Sequence, residues 1–222
     1  ELKIGSGPPS QDELSQIKHH FIHNLSVMDD YNAGQFEIDA IKLIKKLHKT
    51  NDSIIVVGGS GLYVDALCNG FDMLPKISKE TRNRITSKYY NKGLTWLQKK
   101  IKEIDPELYS TYEIKNPQRL LRVLEVFEES GKKLSSFKSN TIKRRPFKII
   151  KIGLNIERSV LYDHINKRVD FMMKDGLLKE VKSLLRFRKN NALQTVGYKE
   201  IFAFINNECT LEKAIEDIKQ NT

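Results

Sequence analysis

Ser53-Ile54-Ile55-Val56-Val57-Gly58-Gly59-Ser60-Gly61-Leu62-Tyr63-Val64-Asp65-Ala66-Leu67 is the stretch on which the fold class turns. Ile54 to Val57 is a short β-branched run, the composition of a buried strand. It passes directly into glycines around Ser60 and then into a helical segment, Leu62 to Leu67. A strand, a glycine turn and a helix in that order predict an α/β unit with a parallel sheet. The turn is not a Walker A loop, because GxxxxGK[ST] needs Lys after its last glycine and Leu62 stands there. Nor is it a dinucleotide fingerprint, for want of a further glycine at the right spacing. Gly58, Gly59 and Gly61 would let the backbone approach a ligand closely, with the Ser60 hydroxyl ready to donate or accept at a helix start. A tight turn needed only for packing accounts for them equally well.

Upstream of that stretch, Gly7-Pro8-Pro9-Ser10 is a loop whose Ser10 can cap a polar helix from Gln11. His19 to His23 reads as a short extended piece. A helix is expected from Gly34 to His48, with Phe36, Ala40, Ile41, Ile44 and Leu47 on one face. Downstream, the pattern turns helical between Leu74 and Pro146. Helices are expected over Lys79–Asn91, Leu94–Ile104 and Pro117–Ser130, with Gly131 as the C-cap. No strand interrupts them, so the stretch reads as a helical insertion, closed by the basic Lys138 to Arg145. Phe147 to Leu154 then resembles a strand returning to the sheet. Further helices are expected over Ser159–Lys174, Leu178–Leu185, Tyr198–Ile205 and Leu211–Lys219. The expected organisation is an α/β core, residues 1–75 and 146–222, around a helical insertion, 76–145.

With 222 residues, 39% hydrophobic and 30% charged, the chain has enough apolar material for a core. Its formal charge of +10 points to an anionic partner, with nucleic acid ahead of a membrane surface. No apolar run approaches the ~20 residues of a membrane-crossing helix. Two distant cysteines, Cys68 and Cys209, exclude a disulfide framework and fit a reducing cytoplasm.

Several residues could carry chemistry. Arg168 falls about 20° from Leu161 on a helical wheel, inside a stripe formed with Ile165 and Met172. A guanidinium there needs an anion, either an internal carboxylate or a phosphate gripped by two hydrogen bonds. Gln118, Arg119 and Arg122 form a polar platform beside the apolar Leu120, Leu124 and Phe127, able to meet base edges or phosphates, or simply to face water. Arg82, Arg84 and Lys143-Arg144-Arg145 carry the same two readings. His19 and His23 have the spacing of a helical metal pair but no third ligand, and hydrogen-bonded loop histidines are the favoured reading. Asp29-Asp30 reads as a turn.

Taken in order, these pieces resemble the tRNA dimethylallyltransferase (tRNA isopentenyltransferase) family. The matching stretches are Lys3 to Ser10, His19 to His23, Tyr31 to Phe36 and Val56 to Tyr63. Pro117 to Val126, Ser130 to Lys132, Arg158 to Met172 and Gln194 to Lys199 complete them. The resemblance implies a P-loop-NTPase-like parallel-sheet core with a helical insertion that grips a tRNA anticodon stem-loop. It implies transfer of a dimethylallyl group from dimethylallyl diphosphate to N6 of the adenosine just 3′ of the anticodon, the base being flipped into a channel. By the same resemblance Mg²⁺ accompanies the diphosphate, and the protein is a cytoplasmic monomer.

Carried over position by position, Ser60 stands where the family commonly has Thr, at the channel wall with Gly58, Gly59 and Gly61. Arg168 matches the arginine at the diphosphate end, where it stabilises the leaving group. Arg82, Gln118, Arg119, Leu120, Leu121, Arg122 and the loop Gln194, Thr195, Val196, Gly197, Tyr198, Lys199 match tRNA-contacting positions. The family's P-loop, first strand and general-base Asp find no match among these residues. The chain is therefore expected to be an internal fragment, with no metal ligand of its own and no transfer activity alone. Other readings kept open are a non-catalytic tRNA-binding remnant and an adenylate isopentenyltransferase acting on free nucleotides. A P-loop nucleoside kinase would share only the fold.

Overall fold

A computed structural model describes residues 1–138 and 141–222, so part of the Lys138–Arg145 stretch lies outside the described residues. Its regular elements are helices, ten of them among the described residues. They are α1 (Gln11–Gln16), α2 (Ala33–Leu47), α3 (Gly61–Asn69), α4 (Lys79–Ile104), α5 (Pro106–Thr111), α6 (Pro117–Ser130), α7 (Arg158–Lys174), α8 (Leu177–Ser183), α9 (Lys199–Ile205) and α10 (Leu211–Asn221). Short 3₁₀ turns occur at Leu134–Phe137, Leu185–Phe187 and Asn191–Leu193.

The expected helices form because their local signals are satisfied. Ser10 caps α1 in a reciprocal box with Glu13, and Ser78 and Asn116 accept the N3 amide hydrogens of α4 and α6. Gly131 ends α6 in the left-handed conformation that glycine adopts without strain, at φ 70°. Gly93, at φ 75° and ψ −177°, breaks α4 between the two helices read from the sequence. Helix α5 went unread. Its cap Asp105 is fully buried and satisfies two backbones at once, accepting from the N–H of Leu108 and of Ser135.

The parallel sheet is not present: no strand occurs among the described residues. Ile55 and Val57 are about nine-tenths exposed, and Ile152 and Leu154 in the second expected strand are 83% and 98% exposed. β-branched composition favours a pleated backbone, but a strand exists only where a neighbour supplies ladder hydrogen bonds. His19 to His23 is likewise not extended. Phe21 and His23 have φ of 62° and 49°, which bends the segment.

Two compact units emerge, residues 1–31 with 150–222, and residues 32–149. The expected insertion, 76–145, falls wholly inside the second. In the first unit α7 to α10 surround a core of Val169, Leu177, Val181, Tyr198, Ile201 and Ile218, joined by Val27. The second unit has two cores. The larger joins α4 and α6 through Ile85, Leu97, Ile101, Leu120, Leu124 and Val126. The smaller joins α2 and α3 through Ala40, Ile44 and Leu67, with Phe147 packed against them.

That smaller core contains a buried ionic knot. Glu37 sits on the inward face of α2 and accepts from the Phe71 N–H at 3.0 Å, Arg145 NH2 at 3.0 Å and Lys143 Nζ at 3.2 Å. Arg145 also donates to the carbonyls of Ala66 (2.6 Å) and Leu67 (2.7 Å) near the end of α3. Its side chain is only 6% exposed. Among the described residues the arginine with a buried side chain is therefore Arg145, and its anion is an internal carboxylate.

Candidate functional site

Arg168 was expected within the inward stripe of α7, and here the structure corrects the sequence reading. Arg168 is exposed, as is Leu161, and the buried position of α7 is Val169. The two lines overlap: Ile165 and Met172 of the expected stripe are half-buried, while its Leu161–Arg168 edge faces out and Val169 and Met173 pack instead. The guanidinium instead leaves the helix toward the N-terminal loop. It lies so close to Gly7 that any β-carbon there would collide with it, and Gly7 has φ 56°. No internal carboxylate pairs with Arg168 among the described residues.

An open pocket of about 450 Å³ surrounds it. Lys3, Ile4, Gly7 and Pro8 form one wall, and α7 forms the other with His164, Lys167, Arg168, Phe171 and Met172. Lys167 is tied to Asp163 at 2.7 Å, and Asp175 also lines the pocket. Basic groups together with apolar side chains suit an anion carrying a hydrocarbon tail.

The loop wall is held by a residue that the sequence reading passed over. Glu180, on α8, accepts the N–H groups of Lys3, Ile4 and Gly5 at 2.8, 2.9 and 3.0 Å. The Tyr198 hydroxyl donates to the same carboxylate at 2.7 Å. Burial pushes the Glu180 carboxyl up, but these four donors outweigh it and hold it below the ordinary glutamate range. Burial and the adjacent carboxylate push the Tyr198 phenol far up, so it stays protonated. A β-carbon on Gly5 would lie 2.5 Å from the Tyr198 ring, so glycine is what lets the loop close onto the tyrosine.

The loop Gln194 to Lys199 divides accordingly. Gln194, Thr195 and Lys199 are exposed, and Gln194 donates to the Arg188 carbonyl. Val196 packs against the core, Gly197 is buried with its N–H on Glu200, and Tyr198 is fully buried. Tyr198 is therefore a core residue, and its ring is not available to RNA. On α6 the same sorting applies. Gln118 and Arg119 are exposed and Arg122 is half-buried, whereas Leu120 and Leu121 are core residues that hold the helix. The buried Glu125 bridges two cations, lying 3.4 Å from Arg82 Nε and 3.5 Å from Arg122 NH1. Arg84 pairs with Glu128 at 2.7 Å. This leaves a basic, partly preorganised surface on α4 and α6.

Ser60 occupies the N-cap position of α3 without making a capping bond, and it is exposed. A β-carbon on Gly58, Gly59 or Gly61 would meet only open space, and none of the three has positive φ. Neither packing nor backbone conformation requires glycine at these positions. His19 and His23 each bond a backbone carbonyl, of Ile17 and Leu2, and Asp29 closes a turn onto Ser26. Cys68 and Cys209 are free thiols. No helix among the described residues is long and apolar enough to cross a membrane.

Glu37 and Glu180, depressed carboxylates that are also shielded from water, give a pH prediction. Glu37 is pushed up by burial but held down more strongly by the Phe71 N–H and the Arg145 and Lys143 cations. A carboxyl lower in the folded than in the unfolded chain stabilises fully above its unfolded value, about 4.3. That contribution is lost as pH falls through the folded value. The urea midpoint should therefore hold between pH 7 and 5 as far as these groups act, then fall. Glu180→Gln should flatten the fall; an unchanged acid limb would count against this assignment.

Comparison with known proteins places the chain among relatives. The family model described as IPP transferase matches residues 1–222. A tRNA dimethylallyltransferase 1 of Phocaeicola vulgatus is 44% identical over all of this chain and 74% of its own length. A tRNA dimethylallyltransferase of Christiangramia forsetii is 46% identical over the same shares. The crystal structure of a full-length tRNA isopentenylpyrophosphate transferase from Bacillus halodurans superposes with a TM-score of 0.64 at 30% identity, covering 98% of this chain and 69% of that one. A eukaryotic dimethylallyltransferase crystallised acting on tRNA gives a TM-score of 0.72 at 24% identity over 98% and 56% of the two chains, a likeness of fold.

Proposed function

The chain belongs to the IPP transferase family, and on that premise we propose that it takes part in tRNA prenylation, in the cytoplasm and as a monomer. The observation carrying this reading is a family match running from the first residue to the last. It includes both the α6 platform and the Arg168 pocket.

In the proposed reaction, N6 of the adenosine 3′ of the anticodon attacks C1 of dimethylallyl diphosphate. The C1–O bond breaks, the diphosphate departs with the electron pair, and the N6 proton passes to a base. That base, an Asp in the family, has no counterpart assigned among these residues. Arg168 neutralises charge growing on the departing diphosphate, assisted by Lys3 in the same pocket. Ser60 offers its hydroxyl at the acceptor end, beside the glycine turn. Arg82, Gln118, Arg119 and Arg122 hold the anticodon stem-loop, as do Gln194, Thr195 and Lys199. Mg²⁺ is the expected companion of the diphosphate. Among the described residues no group of three or more His, Cys, Asp or Glu is arranged for a metal, so none is assigned to it and no step is drawn through it.

Binding of a labelled anticodon stem-loop tests the RNA half. Arg119→Ala and Arg122→Ala should each weaken it about fivefold and lower the salt dependence by roughly 0.7–0.9. Displacement of the RNA by equimolar AMP would move the reading to free nucleotides. Because this polypeptide carries no GxxxxGK[ST] loop, incubation with stem-loop and dimethylallyl diphosphate is expected to yield no transfer. Turnover at the rate of a relative that carries that loop would overturn that expectation.

A further inference from the structure

The pocket beside Arg168 has one rigid wall and one tethered wall. The rigid wall is α7, packed on the core of its unit through Val169, Met172 and Met173. The other is the Lys3–Pro8 loop, which belongs to no helix. Three consecutive amides of this loop converge on a single carboxylate, that of Glu180, within 3.0 Å. Gly7 then turns back through its N–H onto the Ile4 carbonyl at 3.0 Å, which brings its α-carbon under the Arg168 guanidinium. Glu180 does not itself line the pocket. Its effect there can only be transmitted through the loop.

We propose that Glu180 is a positioning residue for the diphosphate end of the site: it sets the Lys3–Pro8 loop against Arg168 and so shapes the anion pocket. The proposal rests on the reading of that pocket given above. A carboxylate is suited to this work because it accepts several N–H donors at once, whereas an amide in its place would offer one oxygen and turn two hydrogens toward donors. Lys3 and Ile4 donate to Oε2, and the Tyr198 hydroxyl donates to Oε1 beside Gly5, which fixes the direction of the carboxylate. Ligand binding and loop closure are then linked, so the ligand must stabilise the closed loop by as much as the closed loop favours the ligand.

The test uses inorganic pyrophosphate and dimethylallyl diphosphate as probes of this chain, with affinity measured by calorimetry well below the melting temperature. Glu180→Gln should weaken both by about tenfold or more. Glu200→Gln is the control: Glu200 is buried in the same unit and accepts from Gly197 and Asn221, but it does not touch the loop. It should leave affinity unchanged while lowering stability. If Glu180→Gln binds as the parent does, or if Glu200→Gln weakens binding equally, the positioning role is overturned. Arg168→Ala tests the underlying reading separately: retained affinity in that variant would mean the pocket is not the diphosphate site. Should Glu180→Gln fail to fold, hydrogen exchange on the unaltered chain decides. The Ile4 and Gly5 amides should gain at least fivefold protection when pyrophosphate binds, and unchanged exchange would overturn the proposal.

Discussion

Arg145→Ala is expected to remove about 3–5 kcal/mol of folding stability, the cost of breaking a buried ion pair from one side. The substitution leaves the Glu37 carboxylate, on a side chain 8% exposed, with Lys143 as the remaining cation among the described residues, and takes a donor from each of two helix carbonyls. Arg145→Lys should recover only part of the loss. Nε and NH2 of the guanidinium reach Leu67, Ala66 and Glu37 together, and a single ammonium cannot reproduce that fork. Arg144→Ala, next along the chain and exposed, should change stability by less than about 0.5 kcal/mol. Urea denaturation of the three variants makes the comparison. Equal losses at positions 144 and 145 would mean that the knot contributes nothing.

Tyr198→Ala should be comparably damaging, at about 3–5 kcal/mol, because it empties a fully buried aromatic site. It also removes the hydroxyl from Glu180. Tyr198→Phe keeps the ring and loses only that hydrogen bond, so a loss of about 1–2 kcal/mol is expected. The pair decides the role of this residue, which sequence order places in an RNA-contacting loop. Stem-loop affinity of Tyr198→Phe, measured on folded protein, should remain within about twofold of the parent. A drop as large as that of Arg119→Ala, with stability intact, would return Tyr198 to the RNA surface.

The helices were legible where short-range signals act alone. Ser10 caps and Gly131 ends a helix as read, and Phe36, Ala40, Ile41 and Ile44 share the buried side of α2. Ser78, Asn116 and Gly93 cap or break helices by the same local rules, though the sequence reading named none of them. Helix α5 was missed although Asp105-Pro106 is a start signal in its own right, with an N-cap followed by proline. Of the candidate site, the exposed polar members of α6 and of the Gln194–Lys199 loop were read from order and composition. The carboxylates that organise the α2–α3 core and the Lys3–Pro8 loop were not. Glu37 falls in the stripe of Ala40, Ile41 and Ile44, and Glu180 lies between Leu177 and Val181, so each stood in an inward pattern where a charge is a signal.

Sequence alone determined the helical segments other than α5, with the ends that were read lying within about two residues of those found, together with the basic balance and the family, because capping, periodicity and motif order are properties of neighbouring residues. Tertiary structure alone decided which arginine is buried and which loop residues are core. Arg145 finds Glu37 across 108 positions, and Gly5 finds Glu180 across 175. The two β-branched runs make the same point from the other side. Composition can favour a strand, but hydrogen bonds to a neighbouring backbone make one, and a residue's own sequence does not contain its partner.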